Sequence, residues 1–127
     1  MNSRSLLTSS ALFLALVGLA LTFAPAEVLG TTNEQYTVIG QLLGAALCGA
    51  ACINWMARSA PMGGIYGRPL ASGNLVHFLV GGLALVKVAP HLQPVWLFLP
   101  LVACYLLFAA LFAYSAFFTA SPSNTHG

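Results

Sequence analysis

A chain of 127 residues with 59% hydrophobic and 5% charged side chains cannot cover a water-facing exterior, for which soluble domains commonly use about a quarter Asp, Glu, Lys and Arg. Its net charge of +2 is too small for a nucleic-acid footprint. What remains is one compact all-α domain, an integral membrane bundle of four transmembrane helices with lipid as its outer solvent.

The first apolar run, residues 6–23, approaches the ~30 Å hydrocarbon core at ~1.5 Å of rise per residue. Arg4 precedes it, and Pro25 and Glu27 end it. A cleavable signal peptide fits the same residues, with Arg4 as basic region and Ala24-Pro25-Ala26 as cleavage site. A retained helix is the preferred reading. Residues 24–35 read as a short polar loop that holds both acids, Glu27 and Glu34.

The second helix spans residues 36–57. Its small residues recur as Gly40, Gly44, Cys48 and Cys52, one face along which a neighbouring backbone can approach closely. This stripe is the expected packing seam, with self-association as its expected use. Gln41 is a lone amide expected to bond a neighbouring helix. Tyr36 and Trp55 lie at opposite ends, where amphipathic rings favour the interface.

Residues 58–69 form a connector rich in Pro and Gly, which break a helix. The third helix spans residues 70–89, with Pro69 suited to its first turn and Lys87 near enough to its end to snorkel. After a turn at residues 90–94, the fourth helix spans 95–118, with Pro100 early in it. Residues 120–127 read as a frayed polar tail. Four spans put both termini on one side together with Arg4, Arg58 and Arg68, leaving Lys87 opposite. The positive-inside rule then makes the termini and the connector cytoplasmic. Loss of the first segment would leave three spans and the same C-terminal side.

Polar residues gather only around this connector. Asn74 and His77 are three apart on one helix face, and Asn54 lies at the matching end of the preceding helix. With Arg58, Tyr66 and Arg68 they are the candidate ligand-binding residues. The pocket they suggest would take a lipid headgroup, a quinone or a small polar ligand. Interhelical hydrogen bonding is the competing use for the two Asn residues, and it is favoured there. For His77 the two uses are balanced, because ionisable residues at membrane depth are functional by default. For Arg58 and Arg68, contact with anionic lipid outweighs bidentate anion binding.

Other chemistry lacks its residues. Gly63, Gly64 and Gly67 are not followed by the Lys-Ser/Thr of a phosphate loop. Cys48, Cys52 and Cys104 lie in apolar runs with no Cys-x-x-Cys, no paired His and no supporting acid, so they read as small buried residues rather than metal ligands or disulfides. No acid lies inside a span, which weakens a proton-coupled transporter. No catalytic residues, cofactor or metal are assigned, and a bound quinone or lipid is the one ligand left open.

Asn54-Trp55-Met56-Ala57-Arg58, followed by Gly63-Gly64-Ile65-Tyr66-Gly67-Arg68-Pro69 and Asn74, resembles small four-helix bacterial integral membrane proteins of unknown function. The layout is similar to the DoxX-like group, as is Ala24-Pro25-x-Glu27 at the end of the first helix. The resemblance covers most of the chain by layout and one specific stretch by sequence. It implies membrane subunits of quinone-linked oxidation systems and carries no catalytic motif to transfer. The expected function is therefore a non-enzymatic protein of the bacterial inner membrane. It would self-associate or serve as a small subunit of a larger membrane complex. Alternatives are a quinone- or lipid-binding accessory subunit of a redox system and a small transporter.

Overall fold

The computed structural model describes residues 2–92 and 94–118. The fold is all-α. Four helices are long and apolar enough to cross a membrane: α1 (Ser3–Phe23), α3 (Glu34–Met56), α4 (Gly67–Val88) and α5 (Val95–Phe118). They fit a multi-pass membrane protein. Short 3-10 turns extend α3 through Ala57–Ser59 and α4 through Ala89–His91. Two or three residues at the starts of α1, α3 and α4 exceed the sequence expectation. The expected frayed tail at 120–127 lies outside the described residues.

One element was not expected. The polar segment after α1 folds into α2 (Pro25–Leu29), a single short helix with Pro25 at its start and Gly30 at its end. Proline suits a first helical turn because its missing N–H would have no partner there. Gly30 adopts φ 64° and is the only described residue with positive φ, the left-handed end that glycine accepts without cost.

The chain divides into two compact units, Met1–Ser59 and Ala60–Gly127. In the first, α1 packs along α3. Asn2 accepts from the Arg4 amide at 3.4 Å and Asn33 from the Gln35 amide at 3.0 Å, which caps the two helices at their N-termini. Leu7 and Leu14 are fully buried, and Leu21, Leu47 and Ala51 are buried as well. The backbones approach closely at Gly18 and Gly44, where a methyl group on Gly44 would lie 2.7 Å from the Gly18 carbonyl oxygen. Van der Waals contact and backbone proximity hold such pairs in lipid, where apolar transfer gives no drive.

In the second unit α4 packs along α5. Phe78 and Phe112 are fully buried, and Phe78 stacks on Phe112 and on Phe108 with centroids 5.8 and 4.9 Å apart. The connector enters α4 through successive turns, Gly64 N–H to Pro61 O at 3.0 Å and Gly67 N–H to Gly64 O at 3.1 Å. A side chain at Gly67 would strike the Pro61 carbonyl and the Met62 backbone. Met62 itself is buried. Pro69 falls in the first turn of α4, as its fixed φ favours. Pro100 sits inside α5, where it cannot supply the amide hydrogen that the helix would give the Trp96 carbonyl.

Candidate functional site

The polar residues fall into one group in each unit. In the first, Asn54 is 1% exposed and donates from Nδ2 to the Ser10 hydroxyl at 3.0 Å, while Ser10 in turn donates to the Leu7 carbonyl at 3.0 Å. Asn54 is thus held by α1. One turn on, the Arg58 guanidinium donates to the Trp55 carbonyl and lies 4.3 Å from the Trp55 ring centroid. That is cation–π distance, at the C-terminal end of α3, where the helix dipole favours a cation.

In the second unit, Asn74 is buried and donates to the Leu70 carbonyl at 3.0 Å, one turn back in α4. The half-buried His77 shares a 3.4 Å hydrogen bond between its Nε2 and the Tyr105 hydroxyl on α5. The Tyr105 ring lies across Gly81, where a methyl group would come within 2.7 Å of its Cε1. Phe78 meets Tyr105 edge-on at 5.3 Å. His77 is therefore fixed between α4 and α5 rather than loose in lipid. Tyr66 is 84% exposed in the connector, and Arg68 is exposed at the start of α4.

The small-residue stripe on α3 has partners within the chain. Gly40 faces Leu29 and Pro25 of α2, Gly44 faces Gly18 and Thr22 of α1, and Cys48 lies against Gly18. Gln41 donates to the Thr22 carbonyl at 3.4 Å, an interhelical bond of the kind expected. Cys52 departs from the buried role expected of it. It is exposed, on the floor of a shallow groove between α1 and α3. Cys48 and Cys104 are half-buried, and all three are free thiols.

Among the described residues no three His, Cys, Asp or Glu side chains gather to hold a metal, and no buried side-chain polar atom lacks a hydrogen-bond partner. Ser10, Asn54, Arg58, Asn74, His77 and Tyr105 serve as ties between or within helices, whereas Tyr66 and Arg68 lie exposed. Three contributors escaped the sequence: Ser10, Tyr105 and the Trp55–Arg58 contact. Ser10 lies within an unremarkable Thr8-Ser9-Ser10 run, and Tyr105 lies in mid-span with no local signal. Only Trp55 and Arg58, three apart at a helix end, carried a usable pattern.

Comparison with protein-family models, with curated proteins and with solved structures gives no match. The functional reading therefore rests on the residues themselves.

Proposed function

We propose that this chain is a non-enzymatic protein of the bacterial inner membrane that works by helix packing, with copies of itself or as a small subunit of a larger membrane complex. Both termini lie in the cytoplasm. The observation that carries this reading is how little of each span is covered within its own two-helix unit: 22–39% of its 18-residue apolar window is buried. Long aliphatic and aromatic faces remain, among them Leu12, Leu16, Leu42, Val80, Leu83 and Phe117. Gly40 and Gly44 are spent inside the chain, so they are not the surface for a second copy. Ala45, Ala46 and Gly49 are exposed small residues of α3, and nothing lies within 4 Å of where a Gly49 side chain would start.

Energy transfer between labelled chains in liposomes tests self-association. Transfer should saturate above the chance level as the protein-to-lipid ratio rises, and Gly49→Leu should lower it. Chance-level transfer, together with no stoichiometric companion on purification in mild detergent, would remove the proposal.

His77 and Tyr105 favour a second reading, a quinone-binding accessory subunit. An imidazole and a phenol joined at 3.4 Å, both edge-on to the Phe78 ring, offer hydrogen bonds and a ring face to a quinone. Quinone that co-purifies with the protein and is lost on His77→Ala would support it; a preparation free of quinone would dismiss it.

A further inference from the structure

The groove between α1 and α3 is lined by apolar side chains, and Arg58 sits against the lining residue Trp55 at one end of it. Small residues such as Ala11, Ala15 and Cys52 form the floor, and larger ones such as Leu12, Leu19 and Trp55 form the walls. The groove exists because small side chains on both helices lie between large ones. It begins at Trp55, whose ring carries the Arg58 guanidinium 4.3 Å from its centroid.

From these observations we infer that the groove binds one acyl chain of an anionic phospholipid, whose phosphate is held by Arg58 at the groove mouth. Two further features select this occupant.

The first is length. Along α1 the groove runs from Ala11 to Leu19, roughly 12 Å at ~1.5 Å per residue. That is less than half of the ~30 Å hydrocarbon core. It suits a lipid tail in one leaflet, whereas a transmembrane helix of a partner would need a seam running across both.

The second is charge. Arg4 opens α1 and Arg58 closes α3, so the two cations lie at the same end of this hairpin. Glu27 and Glu34 both lie at the other end. The mouth therefore meets the headgroup layer as a cationic site with no acid of this hairpin to compensate it. Arg58 spends one of its five N–H donors on the Trp55 carbonyl, which fixes the planar group. The fork geometry of a guanidinium then matches a phosphate bidentately.

Trp55 reports the site directly. In a Trp96→Phe background it is the only tryptophan. The purified full chain is reconstituted in phosphatidylcholine vesicles with increasing fractions of acyl-chain-brominated phosphatidylglycerol or brominated phosphatidylcholine, and quenching of Trp55 is read. Brominated phosphatidylglycerol should quench at about fivefold lower mole fraction than brominated phosphatidylcholine, the effect of one Arg at an anionic surface. Arg58→Gln should abolish that preference and Arg58→Lys should retain most of it. Ala15→Phe, which fills the floor, should reduce quenching by both lipids while circular dichroism confirms the helices. Equal quenching by the two lipids in the unaltered groove would overturn the inference. So would a preference that survives Arg58→Gln, or weak quenching by both lipids that Ala15→Phe does not change, the result expected if a protein segment fills the groove.

Discussion

Asn54 and Ser10 are joined by a 3.0 Å hydrogen bond across 44 positions of sequence, and both side chains are sealed from the surface at 1% and 0% exposure. An amide at this depth has no water to turn to, so the hydroxyl on the neighbouring helix fixes which residues of α1 and α3 stand level.

The pair should therefore show a coupling energy. Asn54→Leu and Ser10→Ala, alone and together, form a double-mutant cycle read by unfolding in mixed micelles. A coupling of about 0.6 kcal/mol, and no more than about 1.7, is expected from interhelical bonds of this kind. Strictly additive losses would show that the bond does not tie the two helices.

Gly44 and Gly49 lie five residues apart on α3 and should respond in opposite ways. A methyl group at Gly44 would meet Thr22 Oγ1 at 2.6 Å and the Gly18 carbonyl at 2.7 Å, whereas one at Gly49 meets nothing within 4 Å. Gly44→Ala should destabilise the α1–α3 pair by about 1–3 kcal/mol through overpacking. Gly49→Ala should be neutral or stabilising by up to about 1 kcal/mol, the helix-propensity gain over glycine. The same micelle unfolding assay measures both.

In the second unit Gly81 is the seat of the Tyr105 ring. Gly81→Ala should push the ring aside and change the near-ultraviolet circular dichroism of the protein. Gly73→Ala, where nothing lies within 4 Å, should leave that spectrum unaltered. Tyr105→Phe keeps the ring and removes the 3.4 Å contact to His77. Its cost should stay below about 1 kcal/mol, as for other interhelical hydrogen bonds in lipid. A larger loss would mean the phenol does more than brace the histidine.

Topology can be read by cysteine labelling in a background with Cys48, Cys52 and Cys104 replaced by Ala. Ser59→Cys follows α3 at the arginine-bearing end, and Thr31→Cys precedes it at the end with both glutamates. An impermeant maleimide added outside the cytoplasmic membrane should label Thr31→Cys. It should reach Ser59→Cys only after that membrane is opened. The reverse pattern would invert the orientation drawn from the basic residues.

The sequence by itself determined the number and approximate limits of the spans. Whether a segment can cross a bilayer depends on a local sum, its length and apolarity against hydrocarbon thickness, and that sum needs no knowledge of neighbours. Pro69 at the start of α4 and the Pro–Gly connector were legible for the same local reason. The signals for α2, Pro25 at its first position and Gly30 at its end, were present too, but the polar character of residues 24–35 read as a loop and hid them. Only the tertiary structure decided the partners. Gly40, Gly44 and Cys48 could serve any helix, another copy of the chain included, and in the fold α1 and α2 take them. Asn54 was visible as polar, but Ser10 opposite it was one hydroxyl among three in a row. His77 was visible on its helix, and Tyr105 was not. In lipid, helices gain nothing from burying oil against oil, so pairing is settled by close backbone approach and a few polar ties. Those terms arise between residues far apart in the chain, and no local pattern records them.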